Sequence, residues 1–189
     1  ARVRDVIADV SAFDRVTIPG SWKSGNLGQN YAAPVDALAW RENSAGDQSF
    51  ADPALETASA LREALLFAAV EVTGSVRVST APRAAGEKVA VLPSPRVFDL
   101  LATVLKNSQN LYTEMLFKRV SEGTYDGSFA LERSVLTAEA GLDPGAFRFV
   151  DGSGLAPDDL VTPEAAVRLL RWMDAPARRG FWWTLLATP

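Results

Sequence analysis

At Asp52-Pro53, Ser94-Pro95 and Thr162-Pro163 a residue with a short oxygen-bearing side chain stands directly before proline. Each pair reads as a helix start: the side-chain oxygen accepts from a free first-turn amide, and proline occupies a position where no N–H is needed. These starts fix the frame of the fold. After the first, Ala58, Leu61, Leu65 and Ala68 recur on one face of a predicted helix. After the second, Val97, Leu101 and Val104 give a helix ending near Asn107, and Leu111 and Met115 open another at once. Ser128 to Ala140 forms a further helix closed by Gly141, and the third start leads into a last helix with Ala166, Leu170 and Met173 on its inner face.

Strands are fewer. Arg2 to Ala8 is rich in β-branched residues, Glu71 to Thr80 sets Val72, Val76 and Val78 on one side, and Lys88 to Leu92 is a further candidate. Phe147 to Val150 is a short strand running into the turn Asp151-Gly152-Ser153-Gly154. The class expected is mixed α+β. Pro19 to Ser49, crowded with Gly, Ser, Asn and Pro around Trp22, Tyr31 and Trp40, reads as an ordered surface loop pinned by its aromatics. Within it, Tyr31 to Trp40 can hold a short helix, and Ser44 to Ser49, with no apolar anchor, is expected to be a mobile loop or a shortened seam.

Composition removes whole classes of chemistry. With no histidine and no cysteine in 189 residues, a Ser-His-Asp triad, a Cys-His pair and any zinc site built on imidazole or thiolate are excluded within the chain. Acid-base work must fall to Lys, Asp, Glu, Tyr or Ser. The net charge of −4 offers no basic stripe, so nucleic acid is not an expected partner. The longest apolar run, Ala64 to Val70, is too short to span a bilayer.

The candidate chemistry sits at Ser108-Gln109-Asn110, an S-x-N tripeptide between two predicted helices, with Asp151-Gly152-Ser153-Gly154-Leu155 downstream. At such a junction the Ser108 and Asn110 side chains can point into one cleft while flanking helices fix the backbone. The alternative is that Ser108 caps the second helix while Asn107 or Asn110 ends the first. Asp151 and Ser153 can likewise be turn residues only. Trp182-Trp183 reads as core or interface.

The order of these motifs resembles a known family. Ser94-Pro95, then Leu105-Lys106-Asn107-Ser108-Gln109-Asn110-Leu111-Tyr112 with Glu114, then Val150-Asp151-Gly152-Ser153-Gly154-Leu155 and Leu160-Val161-Thr162-Pro163 are similar to the D-alanyl-D-alanine carboxypeptidase/endopeptidase family, the class C low-molecular-mass penicillin-binding proteins. Asp9, Ser11, Phe13, Trp22, Tyr31 to Val35, Ala37-Leu38 and Glu42-Asn43-Ser44 extend the resemblance over nearly the whole chain. It implies residues 1–90 as part of an inserted β-containing domain, and 91–189 as the helical part of a transpeptidase-like domain. It also implies a serine acyl-enzyme reaction on peptidoglycan stem peptides outside the cytoplasmic membrane, without cofactor or metal, and with β-lactams as covalent inhibitors of the complete enzyme. By position Ser108 matches the serine that relays a proton to the leaving amine, and Asn110 the amide that orients lysine and substrate. Trp22, Tyr31 and Leu155 are the expected walls of the cleft for the stem-peptide side chain; the alternative is that the aromatics staple a loop and Leu155 fills core.

Two family motifs are missing. Ser59-Ala60-Leu61-Arg62 is the nearest S-x-x-K, but arginine stays protonated and cannot act as base. Lys23-Ser24-Gly25 resembles K-[ST]-G, yet stands before S-x-N rather than after it. The family order places the nucleophile before Ala1 and K-T-G after Pro189, so the segment alone is expected to be inactive. A catalytically incomplete relative that binds cell-wall peptides or a partner is the main alternative, and a serine β-lactamase a weaker one.

Overall fold

The β-branched run at the amino terminus forms a strand broken in the middle, β1 (Arg2–Val3) and β2 (Val6–Asp9). A small hairpin follows, β3 (Ser44–Ala45) and β4 (Gln48–Ser49), then helix α1 (Pro53–Phe67), β5 (Glu71–Val72) and β6 (Val76–Ser79). The computed structural model describes residues 1–81 and 86–187. β1 pairs in parallel with β5 and β2 with β6, a geometry that needs a long crossover, which α1 and the preceding loop supply. Both halves of the ribbon kink together. Gly74 sits where a Cβ would lie 2.6 Å from the Arg4 carbonyl oxygen, so only glycine allows the strands to cross this break.

Asp52 starts α1 as read from sequence, its Oδ1 accepting the Leu55 N–H at 2.9 Å. The buried face differs from the expected one: Ala54 and Ala58 join Val6, Ala8 and Val10 in the core with Leu65 against them, while Leu61 and Ala68 are exposed. The small alanines let the helix lie close on β2 and β6. Between Pro19 and Ser49 no α-helix forms at Tyr31 to Trp40; there is a 3-10 turn at Asn30–Ala32 and another at Arg41–Asn43. In the second turn Arg41, Glu42 and Asn43 all take positive φ, near 53°, a conformation that L-residues adopt at a cost. The wholly buried Asn43 side chain holds it, donating to the Pro34 carbonyl at 2.9 Å and accepting from the Trp40 N–H. Ser44 to Ser49 is a hairpin rather than an unanchored loop, because distant backbone groups tie it down: Ser49 N–H donates to Gly28 and Asn30 N–H to Asp47, both at 2.9 Å.

The expected strand at Lys88 to Leu92 does not form. That stretch has no regular structure, and Val89 and Leu92 are almost fully exposed, since no strand partner is beside them. Helix α2 (Val97–Asn107) begins three residues later than Ser94, after Arg96, whose guanidinium grips Asp99 at 2.8 and 2.9 Å in place of a cap by Ser94. Then come α3 (Asn110–Arg119), α4 (Tyr125–Ser134) capped by Thr124, a π-turn over Val135–Glu139, and Gly141 at φ 67°. Strands β7 (Phe147–Arg148) and β8 (Leu160–Val161) pair antiparallel around the Asp151 turn. Helix α5 (Pro163–Met173) is capped by Thr162, but its inner face is Ala165, Leu169 and Trp172, one residue round from the expected Ala166, Leu170 and Met173. That rotation packs the half-buried Trp172 against the cluster that contains Leu136, Leu142 and Phe147. Nor is α5 the last helix: α6 (Pro176–Leu185) follows, and Trp183, read as core or interface, is exposed with its indole N–H on Asp174 at 2.8 Å.

The chain falls into two units. Ala1–Ile18 and Gly25–Val89 make the first; Pro19–Ser24 and the chain from Ala90 onward make the second. The short Pro19–Ser24 stretch, placed by sequence with residues 1–90, therefore packs with the helical unit.

Candidate active site

Ser108, Gln109 and Asn110 divide three tasks at the α2–α3 junction. Ser108 ends α2 by turning left-handed, φ 55° and ψ 49°, its N–H still donating to the Val104 carbonyl. Gln109 starts α3, its side-chain oxygen accepting the Leu111 N–H at 2.8 Å. Asn110 is the first helical residue and half-buried. Capping of α3 thus belongs to Gln109, not to Ser108 as the capping alternative had it. Ser108 holds a conformation that favours glycine, with an exposed side chain. Strain of this kind in a non-glycine residue persists where the surroundings over-determine it, and it is frequent at functional sites.

One turn along α3 lies a group that sequence reasoning had quoted but not assigned. The buried stripe of α3 is Leu111, Glu114 and Lys118, two ionisable residues in a core position. Glu114 is fully buried and receives three donors: the Gly152 N–H at 3.0 and 3.1 Å to its two oxygens, the Ser153 N–H at 2.9 Å and the Tyr125 hydroxyl at 3.0 Å. Burial raises its pKa above the usual carboxyl value; the Ser153, Gly152 and Tyr125 donors work against this rise and the Asp151 charge adds to it. The equally buried Lys118 places its Nζ 4.7 Å from the Tyr125 ring centroid. Phe117 completes the backing, 5.0 Å from Phe129 between ring centroids.

The turn itself is wound around Asp151. Its buried carboxylate accepts the Gly154 and Ala156 N–H groups, both at 2.7 Å, and the indole N–H of Trp22 at 2.8 Å. Asp159 closes the loop base by accepting the Val150 N–H at 2.7 Å. Its pKa is pushed up to about 6, first by burial and then by its bond to the Asp151 carboxyl. Glu132 is pushed up to about 7 by burial and by the charge of Asp159. The turn approaches α3 closely: a Cβ on Gly152 would stand 2.8 Å from the Phe117 Cβ.

Of the predicted cleft walls, Trp22 is buried, its indole N–H tied to the Asp151 carboxylate of the turn. Leu155 is half-buried within that same turn. Tyr31 belongs to the other unit, exposed, with its hydroxyl 3.4 Å from the Asn26 side-chain oxygen. Ser59 and Arg62 lie in the middle of α1, and Ser24–Asn26 is a 3-10 turn. Among the described residues no group of three or more acidic side chains is placed to hold a metal ion.

The model of the D-Ala-D-Ala carboxypeptidase 3 (S13) family matches residues 42–186 of this chain. The chain belongs to that family. It is 30% identical over 146 residues to the D-alanyl-D-alanine carboxypeptidase of Actinomadura sp. (strain R39), a match covering 74% of this chain and 25% of that protein. Its fold is similar to that of penicillin binding protein 4 (dacB) from Haemophilus influenzae, with TM-score 0.86 and 16% identity over 97% of this chain and 56% of that one. A second structure of that protein, complexed with a novel beta-lactam, aligns with TM-score 0.57 and 21% identity over 69% of this chain and 32% of that one. The chain therefore spans a quarter of the curated relative's length and little more than half of the solved one. The α+β class read from sequence agrees with this fold.

Proposed function

We propose that the protein carrying this chain is a peptidoglycan D-alanyl-D-alanine carboxypeptidase/endopeptidase that works through a serine acyl-enzyme, and that this chain supplies the S-x-N part of its active site. The observation that carries the reading is the left-handed Ser108 with Asn110 beside it, at a helix junction hydrogen-bonded through α3 to the Asp151-Gly152-Ser153-Gly154 turn, in a chain of the S13 family. In this reading a serine of an S-x-x-K motif outside these residues attacks the carbonyl before the terminal D-alanine, and its lysine takes the proton. The C–N bond breaks, Ser108 passes a proton to the departing amine, and water later releases the acyl group. Asn110 orients lysine and substrate. Leu155 contributes to binding the stem peptide, and β-lactams acylate the same serine. The first unit is part of an inserted β-containing domain, and the protein acts outside the cytoplasmic membrane.

One observation favours a second reading, a catalytically incomplete relative that binds cell-wall peptides: no serine in the 189 residues has lysine three positions on. Labelling with fluorescent penicillin separates the two. The full-length protein is expected to form a stoichiometric adduct and the isolated chain none, because the adduct needs an activated serine. No adduct on the full-length protein would favour the binding reading; an adduct on the isolated chain would show a nucleophile within it.

A further inference from the structure

We infer that Glu114 is the positioning residue of this site: its carboxylate latches the Gly152–Ser153 backbone onto the helix that begins at Asn110, and so sets the distance between S-x-N and the turn. The inference rests on the acyl-transfer reading and goes beyond it by naming the group that holds the two motifs together.

The latch is specific in geometry. Two consecutive amides, from Gly152 and Ser153, both donate to one carboxylate, and Tyr125 from α4 donates a third bond, so every contact the site offers is a donor. An acceptor-only group with two oxygens meets that demand; an apolar side chain would leave two half-buried amides without this acceptor. Burying a carboxylate in a helix stripe is costly, and hydrophobic residues of similar volume often serve stability as well or better. What the carboxylate adds is register. Glu114 is four residues from Asn110, roughly 6 Å along a helix that rises 1.5 Å per residue, so the turn is fixed one helical turn from the S-x-N amide. Gly152 serves the same distance from the other side, since its lack of a Cβ lets the turn settle on Phe117. Asp151, held by Trp22, shapes the turn but does not reach α3 in this way.

The test uses two variants that disturb this one distance from opposite sides. Glu114→Gln keeps the volume but turns an NH₂ toward the N–H donors, and Gly152→Ala leaves Glu114 intact while forcing a Cβ against Phe117. In the full-length protein both are expected to lower kcat for D-alanine release by about 10- to 100-fold, with much smaller changes in KM, as a misplacement on the order of 1 Å does. Amide hydrogen exchange at Gly152 and Ser153 should quicken in Glu114→Gln while the α5 amides keep their protection. A purely structural Glu114 would lower the melting temperature but leave kcat and KM per folded molecule unchanged, and that outcome overturns the inference. Normal kcat in Gly152→Ala, or unchanged exchange at Gly152 and Ser153 in Glu114→Gln, overturns it as well. If the wild-type protein releases no D-alanine, the acyl-transfer reading fails, and the exchange measurement still decides whether the latch exists.

Discussion

Replacing Ser108 by glycine should move stability and activity in opposite directions. Ser108 sits at φ 55° and ψ 49°, where an L side chain brings its Cβ too near the following carbonyl oxygen, at a cost of roughly 1–2 kcal/mol. Glycine removes that cost but makes the unfolded chain floppier by roughly 0.5–1 kcal/mol, so the net gain is up to about 1.5 kcal/mol. No capping bond is lost, because Gln109 and not Ser108 holds the start of α3. At about 4 °C per kcal/mol for a domain of this size, the melting temperature should rise by up to about 6 °C. Turnover should do the reverse. Loss of a proton relay removes a general acid-base contribution of about 10²-fold or more. The assay pairs thermal melts with D-alanine release from a pentapeptide by the full-length protein. A lower melting temperature would refute the strain argument, and unchanged turnover in the stabilised variant would remove Ser108 from the chemistry.

Two further outcomes follow from the acidic groups around the Asp151 turn. Glu132 is raised from 4.5 to about 7 and Asp159 from 3.8 to about 6, so across that window the folded chain holds protons that the unfolded chain has lost. Stability should therefore fall as pH rises from about 4 to about 7 and level off above it, and Glu132→Gln should flatten the slope in melts taken across this range. Trp22→Phe removes the indole donor from the buried Asp151 carboxylate and should cost about 1–3 kcal/mol in denaturant unfolding; a change near zero would mean that the staple contributes nothing.

Local signals were legible where the interaction that satisfies them is local. Asp52 and Thr162 cap their helices because the acceptor and the amide are three residues apart. Ser94-Pro95 looks the same on paper, but the helix starts after Arg96, whose guanidinium pairs with Asp99. Helix faces were less legible: in α5 both Ala165-Leu169-Trp172 and Ala166-Leu170-Met173 are apolar, and only the shape of the facing core around Leu136 and Phe147 selects the first. The Ser44 to Ser49 hairpin depends on Gly28 and Asn30, and a strand at Lys88 to Leu92 lacked a partner, neither of which periodicity can register.

The two halves of the candidate site were visible as motifs, whereas their connection was not. Glu114 meets Gly152 and Ser153 across 38 and 39 residues of sequence. One signal was present: a carboxylate and a lysine, Glu114 and Lys118, occupy the stripe that Leu111 begins, where an amphipathic helix would place apolar residues. The capping alternative for Ser108 failed for a similar reason, since choosing between Ser108 and Gln109 as the cap required the backbone angles.

If Ser108 and Asn110 act in one chemical step, as proposed, a double-mutant cycle on D-alanine release by the full-length protein will show it. Residues that act as a unit are strongly non-additive. Ser108→Ala and Asn110→Ala should each lower kcat by about 10²-fold or more, and the double variant should lose little beyond the worse single one. Losses that multiply in the double variant, or normal turnover in either single variant, would contradict the claim.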